Sequence, residues 1–83
     1  MGLDIVELVM ATERTFNFHI PDEDACGLTT VGKLHEYVRA NAPGASEDPE
    51  LWEHLVDLIE KETGVRRDAI RPEATFVYDL RLD

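Results

Sequence analysis

Between Leu3 and Thr15 the hydrophobic positions recur every three or four residues. Leu3, Val6 and Met10 interleave with Ile5, Leu8 and Val9, while Asp4, Glu7, Glu13 and Arg14 take the positions between. The spacing predicts an amphipathic helix with a broad apolar stripe and an acidic outer face. Its start lacks the usual N-cap: Gly2 is acceptable there and Met1 is not, so the helix reads as missing its own beginning.

Pro21 stops regular structure in "FNFHIPDEDA". Asp22, Glu23 and Asp24 then place negative charge where a brief helix begins. "LTTVGKLHEYVRANA" predicts a helix capped by Thr29 or Thr30, with Val31, Leu34, Tyr37 and Val38 buried. Gly32 weakens it by about 1 kcal/mol relative to Ala, so packing must support it. "NAPGASEDPE" is the one linker-like stretch. Asp48 as N-cap and Pro49 at the first helical position predict the next helix over 50–63. That helix buries Leu51, Leu55, Leu58 and Ile59, with Trp52 or Val56 at its flank and Gly64 ending it. Residues 65–83 carry Val65, Ile70, Phe76 and Leu80 as scattered anchors without a period. They read as a long ordered loop whose free end frays. With no strand signal and no repeat, the class is all-α: three main helices and one short one.

Composition narrows the partners. Eighty-three residues make a single domain, 1–83, with a small core. The formal charge of −10 repels nucleic acid and anionic lipid and favours basic protein patches. A single cysteine, Cys26, excludes an internal disulfide. No apolar run approaches the ~20 residues of a membrane span, and Asp4 and Glu7 interrupt the first apolar run, unlike a signal peptide. The expectation is a cytoplasmic chain without nucleic-acid or membrane partners. His19, His35 and His54 sit on separate segments without ligand spacing, so no metal is expected. Acids beside Cys26 disfavour its thiolate. No nucleophile–base set or phosphate-binding glycine loop is visible, and no enzyme activity is expected.

The two ends gain meaning when joined. "TFVYDLRLD" followed by "GLDIVELVM" resembles the acyl carrier protein family, whose pattern is Phe-Val-x-Asp-Leu-Gly-x-Asp-Ser-Leu-Asp and then Val-Glu-Leu-Val-Met. "IPDEDA" and "TTVGKL" are similar to that family's third and fourth helices, and "LWEHLVDLIEKETGV" with "IRPEATF" to its first helix and first loop. The resemblance covers the whole chain in rotated order. Residues 1–41 resemble helices II–IV, 42–49 form the linker, and 50–83 resemble helix I and the following loop. It implies a small four-helix bundle of acyl-carrier type, circularly permuted, in the order II-III-IV-I. Close termini are what make such a permutation tolerable.

The resemblance also implies roles. In the family the Ser between Asp and Leu carries 4′-phosphopantetheine. Here Gly2 holds that position, flanked by Asp83 and Leu3, and has no hydroxyl, so no cofactor is expected on the chain as written. Ser46, the only serine, lies in the linker and is no substitute. The Met-Gly start is read as a scar that replaced the Ser. Asp4, Glu7 and Glu13 match acids that meet basic patches of acyl-processing enzymes and phosphopantetheinyl transferase. Arg14 and Cys26 stand where acids are frequent, which dilutes that surface. Met10, Phe16, Ile20, Leu28 and Tyr37 match positions near the acyl-chain cavity, although such a set is also ordinary core. The function implied is an acyl carrier of fatty-acid or polyketide type, permuted and not primable as written. Two alternatives stand beside it: a domain-swapped, self-assembling module, and a fragment spanning two tandem carrier domains.

Overall fold

The computed structural model describes residues 3–82; Met1, Gly2 and Asp83 lie outside it. Four helices form: α1 (Leu3–Phe16), α2 (Asp22–Ala25), α3 (Val31–Asn41) and α4 (Leu51–Thr63). There is no strand among the described residues, only an isolated antiparallel bridge between Thr30 and Thr75. The fold is a small all-α bundle.

The periodic apolar positions build the core. Ile5, Leu8 and Ala11 of α1 meet Val31, Leu34 and Val38 of α3 and Leu51, Leu55, Val56, Leu58 and Ile59 of α4 in one cluster. Val56 belongs to this core, which leaves Trp52 as the half-buried flank. Thr12 is fully buried because its hydroxyl donates to the Leu8 carbonyl one turn back at 2.8 Å. Met10 departs from the expected stripe: half of it is exposed.

The helix ends are chemically specific. Asn17 takes a left-handed φ of 58° after α1, and the Phe18 amide reaches back to the Glu13 carbonyl at 3.2 Å, a Schellman-type bond. Thr30 is the cap of α3, its hydroxyl accepting from the Lys33 amide at 3.2 Å. Gly64, at φ 76°, closes α4. The expected start of α4 is corrected by one residue. Glu50 precedes the first helical residue, Leu51, and Asp48 instead accepts from the Glu50 amide at 2.9 Å. The linker is also tighter than its composition suggests. It forms a 3-10 turn over Ala45–Glu47 and buries Ala42 and Ala45 in the core.

Residues 65–82 form a strap across the bundle, interrupted by a 3-10 turn at Arg67–Ala69. Arg67 clasps it to α4: one guanidinium faces Glu53 at 2.7 Å, Asp57 at 2.9 Å and Glu60 at 3.7 Å. The Asp57 hydrogen bond leads in raising the Arg67 pKa, against some desolvation. Further on, the strap satisfies amides at the start of α3 that have no partner within the helix. Val31 donates to Ala74 at 3.0 Å and Gly32 to Pro72 at 2.8 Å, while Phe76 donates to Thr29 at 3.1 Å. The expected fraying finds no support through residue 82, because Leu80 and Leu82 are buried and the Leu82 amide bonds the Phe76 carbonyl at 2.7 Å. Asp83 is beyond the described residues.

Candidate functional site: a cavity under the strap beside α1

The sequence around Thr75 makes a stiff loop. The Thr75 amide and hydroxyl both donate to the Asp79 carboxylate, at 2.8 and 3.1 Å, and the Thr75 hydroxyl accepts from the Tyr78 and Asp79 amides. Phe76 is thereby turned into the core, while Val77 and Tyr78 are left outside, Tyr78 being 84% exposed. A single loop presents two apolar side chains to solvent beside a buried aromatic.

Behind this loop lies a cavity of about 330 Å³, lined mainly by apolar groups. Ile5 of α1 forms one wall, Ala25, Cys26 and Leu28 another, and Phe76, Val77 and Tyr78 the third. The space is suited to an aliphatic chain rather than to a charged ligand. The loop's share of this wall was hard to see in sequence. Phe76 is visible as an anchor and Val77 only through the Phe-Val-x-Asp-Leu pattern, whereas Tyr78 gives no signal beyond being aromatic in a segment without a period.

The residues expected near an acyl chain are dispersed among four places. Leu28 lines this cavity. Met10 and Ile20 line a smaller one, of about 230 Å³, with Val6, Val9, Glu13 and His19. Phe16 packs half-buried against the core. Tyr37 lies against Phe18, their ring centres 6.1 Å apart, and its hydroxyl donates to Asp24 at 2.6 Å. That bond to a carboxylate, aided by some burial and the charges of Asp24 and Glu23, pushes the Tyr37 pKa up to about 12.

The expected partner acids also separate. Glu7 is exposed on α1. Glu13 is engaged inside the chain: its Oε2 accepts from the Ile20 amide at 2.7 Å and lies 3.0 Å from His19 Nδ1. Gly2 and Asp83, and the side chains of Leu3 and Asp4, lie outside the described residues. Among the described residues no group of three His, Cys, Asp or Glu side chains is arranged to hold a metal, and no helix is long and apolar enough to cross a membrane.

Arg81 adds an observation that the residue types concealed. It stands where the acyl carrier pattern has Gly, and its backbone takes a left-handed φ of 60°. The local chain path is one that glycine adopts freely and arginine does not.

The chain is 54% identical over 40 residues to an acyl carrier protein of Wolinella succinogenes, a stretch covering 48% of this chain and 53% of that protein. It is 58% identical over 37 residues to the acyl carrier protein of Clostridium perfringens strain SM101, covering 45% and 49% respectively. This chain is acyl-carrier-like. It spans about half the length of the curated relatives it matches. No family model matches the chain, and no solved structure matches it.

Proposed function

We propose that this acyl-carrier-like chain is a carrier domain, not a catalyst, whose helices run in circularly permuted order. The observation that carries the reading is the meeting of Ile5 with the Phe76–Tyr78 loop around one apolar cavity. It brings the "FVYDL" segment beside the start of "LDIVEL", as an uninterrupted carrier motif requires. Matches confined to about half of each sequence support the same reading, since a collinear alignment can hold only one block of a rotated chain. The glycine-like backbone at Arg81 supports it again.

In this reading α1, α2 and α3 correspond to the family's helices II–IV and α4 to its helix I, with residues 42–49 joining the former ends. Glu7 and Asp4 would face basic patches on acyl-processing enzymes, while Glu13 serves the end of α1. Rim charges of this kind steer encounter more than they add affinity.

The prosthetic group of the family does not fit the residues present. Phosphopantetheine needs a side-chain hydroxyl before α1, and Gly2 has none. Ser46 is exposed on the turn between α3 and α4 and lines a different cavity. The chain as written is therefore a carrier fold that cannot be primed.

The test is incubation with a phosphopantetheinyl transferase and coenzyme A, read by intact mass. The expected result is no addition to the chain as written and one phosphopantetheine on Gly2→Ser. An unmodified Gly2→Ser protein that folds normally would overturn the carrier reading. Light scattering separates this reading from two-chain assembly: a mass near 9.4 kDa at all concentrations means that the chain closes on itself.

A further inference from the structure

A second cavity, of about 340 Å³, opens on the face formed by α3, the Ala45–Glu47 turn and the start of α4. It is lined by His35, Arg39, Ser46, Asp48, Pro49 and Trp52, among others, and its surface is far more polar than that of the cavity under the strap. We infer that this cavity binds a small oxyanion, as inorganic phosphate or as a phosphate monoester. The inference is independent of the carrier reading.

Three donors line the cavity from two elements. His35 and Arg39 stand one turn apart on the same face of α3, and Ser46 offers a hydroxyl from the turn. Among the described residues Arg66 and Arg67 are held by carboxylates, whereas Arg39 enters no ion pair. Its guanidinium presents a planar fork that matches two oxygens of a phosphate at once. Trp52 supplies the apolar wall, and its ring meets His35 edge-on, 5.3 Å between centres at 89°, which fixes the imidazole beside the cavity.

Asp48 is the one carboxylate in the lining, and its oxygens are already engaged. Oδ1 accepts from the Glu50 amide at 2.9 Å and Oδ2 lies 2.7 Å from His54 Nδ1. Those contacts turn its charge toward the start of α4. The chain's net charge of −10 opposes an anion at long range. At physiological ionic strength, though, screening acts over roughly 8 Å, so the groups lining the cavity decide.

Trp52 is the only tryptophan, so its emission reports on this cavity alone. The experiment titrates inorganic phosphate, and separately phenyl phosphate, into the protein at ionic strength held constant with sodium chloride. A saturable change in emission is expected, weakened by about tenfold or more in Arg39→Gln, as expected for losing a charge-assisted pair. Ser46→Ala should weaken it less. Tighter binding of phenyl phosphate assigns the monoester, and equal binding assigns free phosphate. No saturable response to either, or a response that Arg39→Gln retains in full, overturns the inference. Both substituted residues are exposed. A melting curve checks that Arg39→Gln still folds; Arg39→Lys, which keeps the charge and loses the fork, serves if it does not.

Discussion

The carbonyl oxygen of Pro72 sits 2.8 Å from the place that a Cβ on Gly32 would occupy, and the Gly32 amide donates to that same oxygen. The glycine that looks like a flaw in α3 is the point where the strap comes closest to the helix. Gly32→Ala therefore sets two effects against each other. Helix propensity gains up to about 1 kcal/mol, while overpacking against a backbone carbonyl costs about 1–3 kcal/mol. The clash wins, because backbone cannot swing aside as a flexible side chain would. A urea midpoint below that of the parent protein is the expected result; an unchanged or higher one would show that the strap yields.

Arg81 leads to the opposite sign. Its left-handed backbone costs a residue with a Cβ about 1 kcal/mol, which glycine avoids. Arg81→Gly should raise stability by about 0.5–1 kcal/mol, visible as a higher melting temperature. Arg81→Ala should leave it nearly unchanged, which separates relief of the backbone from loss of the charge.

The carboxylate of Glu13 holds the Ile20 amide and so fastens the chain that leaves α1. Glu13→Ala should cost about 1–2 kcal/mol, the loss of one charge-assisted bond at a partly buried site. Glu13→Gln keeps an acceptor and should cost less. If both variants unfold at the parent's denaturant midpoint, the bond contributes nothing to the fold.

Tyr37 gives a dependence on alkaline pH. Its folded pKa, about 12, lies above the ordinary value of 10.0, so folding favours the protonated phenol. The stabilisation it brings is complete below pH 10 and is lost as pH rises toward 12. Comparing the parent with Tyr37→Phe by denaturant melts at several pH values should therefore give a constant difference up to about pH 10 and a shrinking one above it. A difference that grows with alkalinity would assign the bond the wrong role.

The helices were legible because their burial is periodic. Leu8, Leu34, Val38, Leu55 and Ile59 are core positions that any helical reading of the chain selects. The fourfold helical architecture follows from them together with Pro21, Gly64 and the Thr30 cap. The strap was not legible in the same way. Its order comes from distant partners, such as Ala74 receiving the Val31 amide, and a chain without a period carries no local trace of them. Within the candidate site, Leu28 is singled out only through the resemblance, whereas the contribution of Tyr78 rests on the Thr75–Asp79 turn. The internal duty of Glu13 was hidden too, because a helical face tells where a carboxylate starts and not what it reaches. Asp48 misled by one residue only: its carboxylate accepts the Glu50 amide as a cap does and meets His54 as well, while the helix itself begins at Leu51.

The Arg67 clasp has an effect beyond fastening the strap. It sets one cation among Glu53, Asp57 and Glu60, on the half of the chain where bases are already commoner. Residues 50–82 hold eight acids against five bases, whereas residues 1–49 hold nine against three, Asp83 being the eighteenth acid. The acidity is consequently uneven: α4 together with Arg67 nets −2 and α3 nets +1, whereas Asp22, Glu23 and Asp24 put −3 on the short α2 alone, so its side is the more acidic. A cationic surface diffusing toward it is drawn to that side before any contact forms, and added salt slows the approach without altering the fit.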